Sequence, residues 1–252
     1  MNATKQHSIL QSVLYHLLPG VFVLVLILVF SNPFFTKSFG FNVRLAPFVG
    51  YLFSLLIGVI LTQIGLLLFA AKSETGKFNL WGVIQYTEKS PIKQYLSYVP
   101  VMILYYILLF VVVAPILQPY LIDTFFQWWP EKYNFQLVLQ DPATLVGYRG
   151  VKLLAIIYLL LSCICGPLVE ELYFRGYLLP RIENAAGKWA PTLNTVFFSL
   201  YHFFSPWENL LRIVAGYPMV YLVWKKRDIR FGIFVHILVN SIGGIFILVT
   251  IF

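Results

Sequence analysis

Residues 151–167 read VKLLAIIYLLLSCICGP, and residues 168–180 continue as LVEELYFRGYLLP. The first stretch is nearly long enough to cross a bilayer, whose hydrocarbon core of about 30 Å takes about 20 apolar residues in a helix. Its apolar residues run together without the alternation of a barrel strand, so a helix is the structure that satisfies its backbone in lipid. Two adjacent carboxylates then follow, Glu170 and Glu171, with Arg175 four residues beyond the second. Pro167 suits the first turn of a helix, so a helix is expected to start or restart there, just after Gly166.

The rest of the chain has the same character. Of 252 residues, 60% are apolar and only 11% charged, against roughly 25% charged in a typical soluble domain. Such a surface meets lipid over most of its area. Disorder and a disulfide scaffold are excluded as well, the latter because there are only two cysteines. Spans are expected at 14–31, 45–71, 95–117, 151–167, 190–205, 209–224 and 231–251. The fold class is therefore all-α, a polytopic transmembrane bundle of about seven spans. The sixth span is short and contains Arg212, which makes it the weakest of the set. The first is read as a retained anchor, because no small-residue cleavage site follows its long apolar run. Two parts are expected: 1–150, with N-terminal transmembrane helices and an external interfacial segment around Trp128 and Trp129, and 151–252, with the ionisable groups.

The net charge of +8 is scattered between apolar runs rather than gathered on one face, so no nucleic-acid partner is expected. It matches the excess of Lys and Arg that holds loops in the cytoplasm. Placing the N-terminus, 72–94, 168–189 and 225–230 on the cytoplasmic side puts twelve of the eighteen basic residues there. The N-terminus is then inside and the C-terminus outside, as expected for a multi-pass protein of a bacterial plasma membrane.

Ionisable groups inside spans are costly and point by default to a functional site. Glu171 and Arg175, at i and i+4, share a helix face and are close enough to pair. Glu170 points about 100° away and is left without that partner. His202 lies in an aromatic stretch, where a lone histidine is more often a helix–helix contact. His236 and Asn240, again at i and i+4, are able to reach one small target. Each feature alone has a structural explanation. Together, a free carboxylate, two imidazoles and an amide come from three separate segments. His7 and His16, near the N-terminus, are expected at the surface or interface. There is no H-E-x-x-H pair, no G-x-S-x-G elbow and no C-x-x-C; Cys163 and Cys165 are expected to be buried free thiols.

In this order, Glu170-Glu171-x-x-x-Arg175, Phe198-x-x-x-His202 and His236-x-x-x-Asn240 resemble the three motifs of the CPBP family. These are the CAAX-protease and bacteriocin-processing intramembrane proteases, which include type II CAAX prenyl endopeptidases. The resemblance covers about 165–245. It implies that Glu170 and His202 act on a water, that His236 and Asn240 complete the site at the oxyanion, and that Glu171 and Arg175 support it. It implies a membrane-associated peptide or protein substrate, of which a prenylated C-terminal peptide is the best known. Metal use stays open. A single zinc ion on Glu170, His202 and His236 is one version, and a metal-free, glutamate-activated water is the other. The lack of a zincin-type helix with two ligands favours the second. The expected function is an intramembrane endopeptidase working near the cytoplasmic side; the competing readings are a non-catalytic adaptor or bacteriocin-immunity-type protein, and a proton-relay transporter. For the catalytic reading Glu170 has to lie buried beside His202, which a helix tilted inward from Pro167 would achieve.

Overall fold

A computed structural model describes residues 5–139 and 141–252. Seven long helices make up most of the described chain. They are α1 (Ile9–Phe30), α2 (Val43–Thr75), α3 (Ile92–Phe125), α4 (151–186), α5 (Ala190–Leu200), α6 (Asn209–Lys226) and α7 (Arg230–Ile251). No strand is formed among the described residues, beyond an isolated backbone pairing of Thr87 with Asp228. α1, α2, α3, α7 and the 151–200 region are long and apolar enough to cross a membrane. Of the two other expected spans, α6 has 18 residues, while α5 has 11 and so rises only about 17 Å.

Helix ends follow local chemistry. Ser8 and Gln11 form a reciprocal cap at the start of α1, each side chain bonded to the other's backbone N–H. Gly187, at φ +53°, is the break between α4 and α5; a side chain there would strain the backbone.

α4 corrects one expectation. The helix does not start afresh at Pro167: it runs on from Val151 to Ala186, with π-type turns at Leu159–Cys165 and Glu171–Leu178. At about 54 Å it is far longer than a bilayer core is thick, so Glu170 enters the interior on a continuous helix. Arg175 and Arg181, assigned to a cytoplasmic segment by sequence, are both buried in the bundle.

Contacts between loops sort the segments to two ends. At one end the His7 N–H bonds to the Arg181 carbonyl (2.7 Å), Arg181 pairs with Glu74 (2.7 Å), Gln85 N–H meets the Gly176 carbonyl (2.8 Å) and Glu88 N–H meets the Arg227 carbonyl (3.0 Å). At the other, Arg44 bonds to the Tyr148 hydroxyl (2.8 Å), Gln136 to Glu208 (2.7 Å), and Lys152 lies over the ring of Phe252 (4.8 Å). Among the described residues the helices alternate between these ends, with α5 and 201–208 together making one pass.

Helices of both halves share one core: Ile27, Phe48 and Leu67 pack in the same cluster as Phe174, Tyr201 and Ile247. The outer faces expose large apolar side chains such as Leu18, Leu104, Ile116 and Val249. In water each would be unfavourable; facing lipid, they are matched to their surroundings.

His7 and His16 are not at the surface. Both are buried. His16 Nδ1 bonds to the Ser12 carbonyl (2.6 Å), while its Nε2 accepts from Asn194 of α5 (2.9 Å), whose amide also donates to the Phe174 carbonyl (2.9 Å). The pair ties α1, α4 and α5 together where apolar packing alone would leave their register loose. Cys163 and Cys165 are free thiols, the first buried and the second partly so. Trp128 is exposed, whereas Trp129 packs edge-on against Trp207.

Candidate active site

α5 ends at Leu200, and the chain turns irregularly through Tyr201–Ser205 before a short 3-10 turn at Pro206–Glu208. Irregular backbone at membrane depth is tolerated where protein buries it or where it lines a cavity. Both apply here. Tyr201 and Ser205 are buried, and the turn lines a cavity of about 540 Å³ that also receives Glu170 of α4 and His236 and Asn240 of α7. Local N–H···O bonds, His202 to Ser199 (3.1 Å) and Ser205 to His202 (3.0 Å), replace the lost helical pattern.

The two imidazoles face the two oxygens of one carboxylate. His202 Nε2 lies 3.9 Å from Glu170 Oε1, and His236 Nε2 lies 3.9 Å from Glu170 Oε2. Each ring is oriented by a bond on its far side. His202 Nδ1 is 2.9 Å from the Phe198 carbonyl, the residue four back that completes the second motif. His236 Nδ1 is 3.0 Å from Glu171 Oε1. A carbonyl or carboxylate only accepts, so each Nδ1 carries a hydrogen, and the Nε2 of each ring faces Glu170. The separation of 3.9 Å is too long for a direct hydrogen bond and leaves room for a bridging species.

Adjacent positions on α4 give the two glutamates different surroundings. Glu170 faces the cavity, whereas Glu171 is fully buried against α7. There, a Cβ on Gly232 would overlap the Glu171 carboxylate, so the glycine is what allows this approach. Arg175 Nε is 3.5 Å from Glu171 Oε2, and its guanidinium lies 4.0 Å from the centre of the Phe198 ring. The expected pair is therefore brought together. Glu171 has a second partner that spacing did not disclose, since its shorter contact is to His236. Asn240 donates to the Ser162 carbonyl at 3.1 Å, which leaves its second amide hydrogen free. All six residues singled out by sequence thus meet in one region.

Two further residues at the site were missed. The Tyr201 hydroxyl, next to His202, accepts from Gln63 Nε2 of α2 (3.1 Å), and Tyr201 lines the cavity together with Glu170. Both residues are buried. The available signal was Gln63 itself, an amide inside an otherwise apolar span.

A metal ion is a poor fit to this placement. Zinc bonds of 2.0–2.1 Å in a tetrahedron put neighbouring ligand atoms about 3.3 Å apart, closer than the two separations of 3.9 Å. No group of three or more His, Cys, Asp or Glu among the described residues is arranged to hold a metal.

Residues 152–242 match the family model for type II CAAX prenyl endopeptidase, Rce1-like. That segment is similar to Rce1-like endopeptidases. The family is one of proteases, and the matched range contains Glu170, Glu171, Arg175, His202, His236 and Asn240. Its long apolar helices make this an integral membrane protein, in which the matched segment is similar to a family of proteases. α1, α2 and α3 lie outside the Rce1-like segment. No curated protein and no solved structure matches the chain significantly.

Proposed function

We propose that the protein is an intramembrane endopeptidase in which Glu170 and His202 activate a water against a peptide bond. One observation carries the reading: two imidazole Nε2 atoms and a carboxylate converge on a water-sized gap at the wall of a 540 Å³ cavity. A water between Glu170 and His202 donates one hydrogen to each, which turns its lone pair outward to the substrate carbonyl. As its oxygen bonds to that carbon, Glu170 takes the proton. The carbonyl oxygen becomes an oxyanion, received by the free amide hydrogen of Asn240 and by His236. To donate through Nε2, His236 has to be imidazolium, and the Glu171 carboxylate on its Nδ1 offsets that charge. Collapse of the tetrahedral intermediate breaks the C–N bond, and the proton on Glu170 passes to the leaving amine. Glu171 supports His236, and Arg175 supports Glu171.

The substrate in this reading is a membrane-associated peptide or protein with a prenylated, CAAX-type C-terminus. The cavity that takes its scissile bond is lined by Gln136, Ser205 and Glu208, toward the end where Gln136 bonds to Glu208. The test is cleavage of a farnesylated C-terminal peptide by the purified protein in lipid nanodiscs. Wild type should release the C-terminal fragment, while Glu170→Gln and His202→Ala should lose at least about a hundredfold in kcat, the usual contribution of a general base. Cleavage that survives Glu170→Gln would leave a non-catalytic adaptor as the better account.

A further inference from the structure

We infer that the Tyr201 hydroxyl is a positioning group for Glu170, and that Gln63 sets its direction from outside the Rce1-like segment. The inference rests on the proposed hydrolytic role of Glu170. A phenol carries one hydrogen. Because Gln63 Nε2 donates to the Tyr201 oxygen at 3.1 Å, that hydrogen is free for another acceptor, and the Glu170 carboxylate lines the same cavity as Tyr201. The polarity of the chain is then fixed: amide to phenol to carboxylate. Glu170 has no Lys or Arg ion-pair partner among the described residues, only the two imidazoles at 3.9 Å. A flexible glutamate needs one short contact to stay aimed at the water, and Tyr201 is placed to supply it.

The tyrosine is itself held on three sides. Its ring packs 5.0 Å from that of Phe174 and 4.7 Å from that of His202. Its backbone carbonyl is pressed against α1, where any side chain at Gly20 would overlap it. α1 and α2, which contribute none of the six motif residues, thereby fix the aim of the base.

The experiment compares wild type, Tyr201→Phe, Gln63→Met and the double variant in nanodiscs, with a quenched farnesylated C-terminal peptide as probe. Tyr201→Phe keeps the ring packing, and thermal midpoints check that each variant folds. Tyr201→Phe should lower kcat about ten- to a hundredfold, the rate equivalent of one hydrogen bond to a charged group, with KM within about twofold. Gln63→Met should lower kcat less and have no further effect once Tyr201 is Phe, because it acts through that hydroxyl. A Tyr201→Phe protein with unchanged kcat, a change confined to KM, or fully additive losses would overturn the inference while wild-type cleavage remains Glu170-dependent. A wild type that leaves the probe uncut, or cuts it equally well as Glu170→Gln, overturns the hydrolytic reading and this inference with it.

Discussion

Replacing Glu171 by Gln changes charge with almost no change in shape, and its cost follows from what surrounds it. The Gln carbonyl still accepts from His236 Nδ1, now 3.0 Å from Glu171 Oε1. What disappears is the anion beside Arg175. That guanidinium is fully buried, and none of its three nitrogens has a hydrogen-bond partner apart from the 3.5 Å approach to Glu171. Removing one member of a buried ion pair costs about 3–5 kcal/mol. Against a typical total of about 5–15 kcal/mol, this consumes a third or more of the stability. Glu170→Gln should cost less than about 1 kcal/mol, since no buried Lys or Arg is paired with that carboxylate among the described residues, yet it should abolish cleavage. Denaturant unfolding in micelles, followed by tryptophan fluorescence, together with membrane abundance, separates the two. Adding Arg175→Met to Glu171→Gln removes the stranded cation and should recover about 2 kcal/mol or more. Equal unfolding midpoints for Glu171→Gln and wild type, or no recovery in the double variant, would refute the assignment of Glu171 as the anion that Arg175 needs.

Gly232→Ala should force Glu171 away from α7, lowering stability by about 1–3 kcal/mol and kcat with it; unfolding and peptide cleavage read the two effects. His7 offers a pH signature: burial, then the nearby Arg181 cation, pushes its pKa down to about 4, against about 6.5 in the unfolded chain. The unfolded state then binds the proton more readily, so stability is complete above about pH 6.5 and is lost as pH falls toward 4. Thermal midpoints across that window should flatten in His7→Phe, and an unchanged slope there would exclude His7 as the source. Trp81 and Trp128, both exposed and at opposite ends, should label from opposite compartments as cysteine variants, with Trp81 cytoplasmic; labelling from the same side would break the proposed orientation.

The sequence alone pointed to the solvent, the helical class and the spacing of the motif residues. Sixty per cent apolar composition leaves a chain of this length no aqueous surface, and lipid leaves the backbone no choice but helix. Helical spacing then assigned His236 to the same face as Asn240 and Glu171 to the same face as Arg175, because i and i+4 neighbours follow from the pitch of one helix. Spacing says nothing of what lies opposite that face. The bond from His236 to Glu171 spans 65 residues, that from Gln63 to Tyr201 spans 138, and that from Asn194 to His16 spans 178. His16 therefore read as a surface residue until α5 was packed against α1. Pro167 read as a helix start for a similar reason: a proline removes a local hydrogen bond, but packing on several sides carries α4 straight through it. Which oxygen of Glu170 meets which histidine is likewise set by α4, α7 and the turn after α5 closing on one cavity. Periodicity fixes faces; only packing fixes which faces meet.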